Sequence, residues 1–143
     1  GAQRLDTGII IPKPALQRKL LAVINSPTYA ALHNPRYSVL SNPRNGIFQN
    51  CTEHTLDVLM AAVYGTNDLA QIQANITAHF EPQVIEIGGL KRALATLASE
   101  ALTTRDQGDV IGTTTFGSLA RFMQKYDLAA EVYRVTPTQI TRF

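Results

Sequence analysis

Apolar residues recur at helical spacing just after the only cysteine of the chain. These positions lie three or four residues apart: Leu56, Leu59, Met60 and Val63. Their spacing predicts one buried face of a helix that runs from Cys51 to about Tyr64. Asn50 is a favourable N-cap and Glu53 follows three residues later, so the pair resembles a capping box. Gly65 is a natural end for this helix, because glycine takes the left-handed conformation without steric cost.

The same periodicity predicts a helix on either side of this segment. One begins at Pro14, a residue suited to a first turn, and ends near Asn25, after which residues 28–32 add a further turn. The other is capped by Thr66 or Asn67. The apolar positions of their buried faces are Leu16, Leu20, Val23 and Ile24 in the first helix, and Leu69, Ile72 and Ile76 in the second.

Two more amphipathic segments lie in the second half of the chain. The first covers residues 90–101, and the second begins at Gly117 or Ser118. Their apolar stripes are Leu90, Ala93, Leu94, Leu97 and Ala101, and then Leu119, Phe122, Met123 and Tyr126. A stripe of this kind indicates core packing rather than a cofactor site.

Strand composition is confined to short segments between these helices. Residues 8–12 form a β-branched run stopped by proline, residues 83–87 and 110–116 are rich in β-branched side chains, and residues 131–135 alternate polar and apolar. About five helices and three or four unevenly spaced strands predict an α+β fold rather than a doubly wound parallel sheet.

Length and charge limit the function further. A chain of 143 residues fits a single domain that buries its own core. The net charge of +2 comes from scattered basic residues, so we expect no nucleic-acid partner. No apolar run is long enough for a transmembrane segment, and one cysteine excludes an internal disulfide. The Gly-rich phosphate and dinucleotide motifs and the Gly-x-Ser-x-Gly elbow are absent, so we expect no cofactor.

Cys51 is the main candidate for chemistry. In the first turn of a helix, unpaired N–H groups and the helix dipole favour a thiolate, although a Glu53 carboxylate two residues away opposes this effect. The other interpretation is that Cys51 is a small buried hydrophobe. His54 lies three residues further on the same face, but two ligands are too few for structural zinc, so no metal is expected. A cysteine nucleophile also needs a base, for which His33, His54 and His79 are the histidines present.

Several motifs resemble the bacterial family known as domain of unknown function 2145, and together they cover most of the chain. They are Gly-Ile-Ile-Ile-Pro at 8–12, Leu-Gln-Arg-Lys-Leu-Leu at 16–21, Ser-Pro-Thr-Tyr at 26–29, His-Asn-Pro-Arg-Tyr-Ser at 33–38, Gln-Asn-Cys-Thr-Glu at 49–53 and Thr-Phe-Gly at 115–117. The Asn-Cys-x-Glu core is also similar to that of permuted papain-like amidases and peptidases, including the lecithin–retinol acyltransferase group.

This resemblance implies a permuted papain-like fold, with helices packed on a small antiparallel sheet, and it assigns the role of nucleophile to Cys51 alone. Asn50, Glu53 and His54, which adjoin Cys51 in sequence, are the candidate supporting residues. In such enzymes the catalytic histidine precedes the cysteine on a strand, yet no obvious strand histidine precedes Cys51 here. The histidine lies in a segment absent from this sequence, or His33 replaces it, or the protein is not an active enzyme. We favour the first explanation, in which residues 1–143 are the C-terminal part of a longer papain-like domain.

Two functions therefore stay open. The resemblance implies a papain-like thiol hydrolase, an amidase, peptidase or acyltransferase of the bacterial envelope, which is periplasmic or secreted. Its substrate is a peptide, peptidoglycan or a lipid, and the sequence does not distinguish them. The alternative is a non-catalytic binding or structural domain that retains a degenerate papain-like fold.

Overall fold

The computed structural model describes residues 5–86 and 103–143, which form five helices and five strands. In chain order the elements are β1 (Thr7–Pro12), α1 (Pro14–Ile24), α2 (Pro27–Ala31), α3 (Cys51–Tyr64), α4 (Leu69–His79), β2 (Gln83–Val84), β3 (Gly112–Thr113), α5 (Phe116–Lys125), β4 (Ala129–Val135) and β5 (Ile140–Arg142). The predicted helix over 90–101 lies outside the described residues. The predicted α+β class is confirmed, because the helices pack on a small antiparallel sheet.

The main sheet has the strand order β1-β4-β5, and both pairings are antiparallel. Ile10 of β1 is opposite Val132 of β4, and these two side chains contribute to the core side of the sheet. The register shifts next to Pro12, as expected for a residue that cannot donate to a ladder. β2 and β3 form a separate two-stranded antiparallel pair. The sequence predicted β1 and β4, but it did not predict β5.

Helix α3 lies at the centre of the core. Residues 56–62 are all buried, so this helix is enclosed on every side for about two turns. The sequence predicted only one buried face, which is too narrow, because a helix surrounded by neighbours buries its whole circumference. The apolar residues that pack around it come from the other elements: Leu16, Leu32, Ile72, Ile76, Phe80, Leu119, Phe122 and Met123.

The start of α4 differs from the prediction. Its N-cap is Asp68, whose side chain accepts hydrogen bonds from the backbone N–H groups of Ala70 and Gln71 at 2.8 and 3.3 Å. The predicted caps, Thr66 and Asn67, therefore precede the cap. Leu69 becomes the first helical residue and is 54% exposed, which corrects its prediction as a core residue.

The start of α5 also differs, by one or two residues. Thr115 is the N-cap, and it forms a capping box with Ser118, which occupies the third helical position rather than the first or the cap. Phe122 points inward and meets Phe80 edge to face, with 5.8 Å between ring centroids. Tyr126, predicted as part of the core stripe, is the C-cap and is 40% exposed. Among the described helices, none is both long enough and apolar enough to cross a membrane.

Candidate functional site

The connection between α2 and α3 brings the chain to Cys51. Both of its Asn-Pro-Arg tripeptides are turns in which the asparagine side chain accepts from the arginine backbone N–H. The distances are 3.0 Å for Asn34 Oδ1 to Arg36 N and 3.0 Å for Asn42 Oδ1 to Arg44 N. The asparagines therefore mark two turns of this connection, and both arginines are exposed.

The same connection is fixed to a segment more distant in sequence. The Asp106 carboxylate accepts from the backbone N–H of Asn42 at 2.6 Å, and its backbone carbonyl accepts from the side chains of Asn42 and Asn45 at 3.1 and 2.7 Å. Ser38 donates to the carbonyl of Thr103 at 3.0 Å. These bonds replace the regular secondary structure that the connection lacks, and so hold the approach to α3 in one conformation.

Asn50 caps α3 and also attaches it to its surroundings. Its Oδ1 accepts from the backbone N–H of Glu53 at 2.8 Å, as predicted, and lies 2.8 Å from the hydroxyl of Thr52. Its Nδ2 donates to the carbonyl of Val39 at 3.0 Å and to the hydroxyl of Thr113 at 3.1 Å. One buried amide therefore fixes the helix start against both the preceding connection and β3.

Cys51 is the first residue of α3, and it is exposed. The interpretation of Cys51 as a buried hydrophobe is therefore wrong. The backbone N–H of His54 bonds to the carbonyl of Asn50 at 3.0 Å, whereas those of Cys51 and Thr52 have no acceptor within the helix. The thiol thus stands on the surface beside two N–H groups at the positive end of a 14-residue helix.

Glu53 is almost fully buried, at 1% exposure. Its pKa is raised from 4.5 to about 8, chiefly by burial and to a lesser extent by the carboxyl groups of Asp57 and Asp106, while hydrogen bonds from the Ser41 hydroxyl and the Asn50 backbone oppose the shift. At pH 7 this carboxyl is therefore largely neutral. That corrects the expectation of a carboxylate charge beside Cys51. Of the predicted supporting residues, Glu53 therefore has a structural role.

Asp57, one turn further along α3, is a second buried acid that sequence reasoning missed. Burial raises its pKa to about 7, although a hydrogen bond from Gln49 opposes the shift. The Gln49 side chain donates to Asp57 at 2.7 Å and to the carbonyl of Leu32 at 2.9 Å, and it accepts from the N–H of Asn34 at 2.9 Å. Gln49 thereby holds the residues on both sides of His33 against α3.

The buried acids predict a pH dependence of stability. Because the pKa of Glu53 is raised on folding, the folded protein keeps a proton that the unfolded chain releases, so the free energy of unfolding falls as pH rises from about 4.5 to about 8. We expect Glu53→Gln to reduce that fall by about 1–3 kcal/mol, less than the full shift implies because ionised buried groups relax towards solvent. Urea unfolding at pH 5 and pH 8.5 measures the fall in the free energy of unfolding for the wild type and for Glu53→Gln. An equal fall in both proteins would contradict the raised pKa of Glu53.

His54 lies among aromatic and imidazole rings. Its ring is edge to face with Tyr29, at 5.0 Å between centroids, and with His33, at 6.0 Å. Burial lowers the pKa of His54, the neighbouring charge of His33 lowers it further, and the Leu32 backbone opposes the shift. The imidazole is therefore neutral at pH 7 and has the protonation state that a base requires.

His79 lies elsewhere. It ends α4, its ring stacks on that of Tyr64 at the C-terminal end of α3, and it also meets the Tyr126 ring edge to face. Thirteen residues of helical rise place Tyr64 about 20 Å from Cys51. The structure thus brings His33 and His54 together near the start of α3 and excludes His79 from this region.

In the part of the chain that the structure describes, two cavities are lined by residues of the first half of α3. One, of about 400 Å³, is lined by polar residues that include His33, Gln49, Glu53 and Asp57. The other, of about 300 Å³, has mostly apolar walls, and His54 is one of its lining residues. Within the described residues, no group of three or more histidine, cysteine or acidic side chains could hold a metal ion.

Sequence reasoning identified Cys51 and its cap but missed Gln49 and Asp57. One signal was available, because Glu53 and Asp57 stand four residues apart and so share a helix face with the apolar residues Leu56 and Met60. Two acids on one face of a helix that is otherwise core are a marker of buried polar contacts. The partners of those contacts are not visible in the sequence.

Comparison with known proteins adds one finding. No curated protein and no solved structure matches the chain. A family model does match, over residues 1–123, and its description is an uncharacterized protein conserved in bacteria, domain of unknown function 2145. The match covers most of the chain and includes the α3 start with Cys51. The chain therefore belongs to the bacterial domain of unknown function 2145 family.

Proposed function

We propose that this protein is a papain-like thiol hydrolase of the bacterial envelope, an amidase, peptidase or acyltransferase in which Cys51 is the nucleophile. In this proposal residues 1–143 are the C-terminal part of a longer permuted papain-like domain, and the protein is periplasmic or secreted. The observation that carries it is the exposed thiol of Cys51 at the first position of a capped 14-residue helix. Such a position exposes a nucleophile beside unpaired backbone donors.

The proposed reaction is acyl transfer. The Cys51 thiolate attacks the carbonyl carbon of an amide or ester, and the N–H groups of Cys51 and Thr52 stabilise the oxyanion that forms. The carbon–nitrogen or carbon–oxygen bond then breaks, and a protonated base supplies the proton that the leaving amine or alcohol takes. This leaves a thioester on Cys51, which water or an acceptor alcohol resolves with return of the free thiol.

The base has three candidates. His54 is neutral at pH 7 and lies one turn along the same helix, but a base beside the thiol is poorly placed to protonate a leaving group across a cleft. His33 lies 6.0 Å from the His54 ring, measured between centroids. The third candidate, which we favour, is a strand histidine in a segment preceding this sequence.

A chromogenic ester tests the nucleophile in the full-length protein. With p-nitrophenyl acetate we expect a burst of nitrophenolate and an acetyl group on Cys51, located by peptide mass spectrometry. Cys51→Ser should keep the fold, because the side chains are similar in size and the position is exposed, yet lose the burst. The acylation rates of His54→Gln and His33→Gln are measured in the same assay. The substitution that lowers the rate identifies the base.

Circular dichroism of Cys51→Ser provides the control for folding. If the serine variant retains full activity, or if a folded wild-type protein acquires no acyl group on Cys51 from p-nitrophenyl esters of any chain length, the nucleophile assignment is wrong. Acylation that survives both histidine substitutions assigns the base to the preceding segment.

One observation favours the alternative, a non-catalytic binding or structural domain. Among the described residues, the Nδ1 atom of His54 is buried with no hydrogen-bond partner in good geometry. A catalytic imidazole is usually oriented by a polar group bonded to its second nitrogen. A His54 ring with no polar side chain bonded to Nδ1 is therefore typical of a packing residue, and a folded full-length protein that no p-nitrophenyl ester acylates would support this alternative.

A further inference from the structure

The apolar cavity beside α3 has the features of a ligand pocket. Its volume is about 300 Å³, and its floor is formed by Val58, Leu59, Leu119 and Met123, each at most 5% exposed. Ile10 of β1 contributes to the walls. Among the described residues that line it there is no Asp, Glu, Lys or Arg. A cavity of this size with apolar walls falls within the range of natural small-molecule sites.

Polar groups are confined to the part of the cavity nearest Cys51. Tyr29 and His54 have their ring centroids 5.0 Å apart, and Thr55 follows His54 on α3. The Thr55 hydroxyl donates to the backbone carbonyl of Cys51 at 3.0 Å, so this end of the cavity is one helical turn from the thiol. The floor residue Leu59 lies about 12 Å further along the helix from Cys51, from eight residues of helical rise.

This arrangement fits a molecule with a hydrocarbon body and one polar end. The hydrocarbon would lie over Val58 and Leu59, where no polar atom is offered, while the polar end would stay near Thr55 and the first turn of α3. An apolar cavity of about 150 Å³ holds a benzene molecule, so about twice that volume holds a chain of roughly ten carbons. A peptidoglycan strand, which is polar throughout, would leave its hydroxyl and amide groups unpaired there.

We propose that this cavity binds the acyl chain of a medium-chain fatty ester or amide, so that the carbonyl carbon at its polar end faces Cys51. The inference rests on the proposed function for the step of acyl transfer. The binding of the chain itself does not depend on that step, and the two are separable by experiment.

Binding is tested with decanoate and acetate in the full-length Cys51→Ser protein by titration calorimetry. Decanoate should bind at least about tenfold more tightly than acetate, since each buried methylene adds a few-fold to the affinity. Ile24→Gln, at the exposed rim of the cavity, should weaken decanoate binding about three- to tenfold. Leu21→Gln is the matched control, because Leu21 is exposed on the same helix and lies outside the cavity.

Turnover is tested with p-nitrophenyl esters of two, six, ten and sixteen carbons on the wild-type protein. The rate of Cys51 acylation should rise to about ten carbons and fall at sixteen, and Ile24→Gln should flatten this profile whereas Leu21→Gln should not. Decanoate binding without acylation would support the pocket and overturn the proposed nucleophile. The pocket would be overturned, and the nucleophile left intact, if all chain lengths acylate Cys51 at equal rates and decanoate does not bind. The same conclusion would follow from equal acylation rates if Ile24→Gln and Leu21→Gln behave alike.

Discussion

Replacing Asn50 with alanine is expected to lower the free energy of unfolding by about 3–5 kcal/mol, more than the loss of an ordinary helix cap. The alanine variant loses the cap on the Glu53 N–H and also leaves the carbonyl of Val39 and the hydroxyl of Thr113 without their amide donor. Because Asn50 is buried, water does not replace these bonds. Chemical denaturation measured by circular dichroism gives the value.

Asp68→Ala is the matched control for this substitution. Asp68 caps α4 through two backbone N–H groups but is exposed, so its loss should cost only about 1 kcal/mol. The loss of stability in Asn50→Asp should lie between those of Asn50→Ala and Asp68→Ala, since aspartate keeps the cap acceptor and loses both donor bonds. Equal losses for Asn50→Ala and Asp68→Ala would show that the bonds to Val39 and Thr113 contribute nothing to stability.

Leu59→Ala is expected to destabilise the protein by about 2–5 kcal/mol. Leu59 is 3% exposed at the centre of the core, and truncation removes apolar contacts and enlarges a void that its neighbours do not fill. Thermal or urea unfolding measures the loss. Leu69→Ala is the control, because Leu69 has the same side chain and is 54% exposed, so we expect a change under about 0.5 kcal/mol. Similar losses at both positions would contradict the burial of the Leu59 face.

The bounds of α3 were predicted accurately because both of its ends are set by local chemistry. Asn50 accepts from an N–H three residues later, and Gly65 ends the helix with φ of 64° in the left-handed region. Neither signal depends on the rest of the fold. The same reasoning failed at α5, where adjacent threonines and serine offer several caps of similar quality and only the packed structure selects Thr115.

Strand β5 could not be predicted, because residues 140–142 are all exposed and lack an apolar alternation. They form a strand through backbone pairing with β4, in which Val135 is opposite Ile140. Pairing of this kind is a property of two segments together and leaves little trace in either one.

Only those features of the site that are set by residues close in sequence were predicted. Cys51, its cap and its position on the helix follow from neighbouring residues, whereas the neutral state of Glu53 follows from burial by residues distant in sequence. The role of Gln49 is not visible in the sequence, since its partners Leu32 and Asp57 are 17 and 8 residues away. Long-range hydrogen bonds therefore account for most of what the sequence left undetermined.

The hydrogen bonds that fix the start of α3 also have a consequence for the order of folding. The Asn50 amide meets Thr113 across 63 residues, and Asn42 meets Asp106 across 64. Helical turns form in microseconds from local contacts, while contacts of this sequence separation wait for the closure of a long loop. During synthesis, the cap acceptor of Asn50 is in place once α3 exists, but its donor bond to Thr113 can form only after β3 has emerged. The turn that carries Cys51 is thus expected to reach its native rigidity later than the helix behind it.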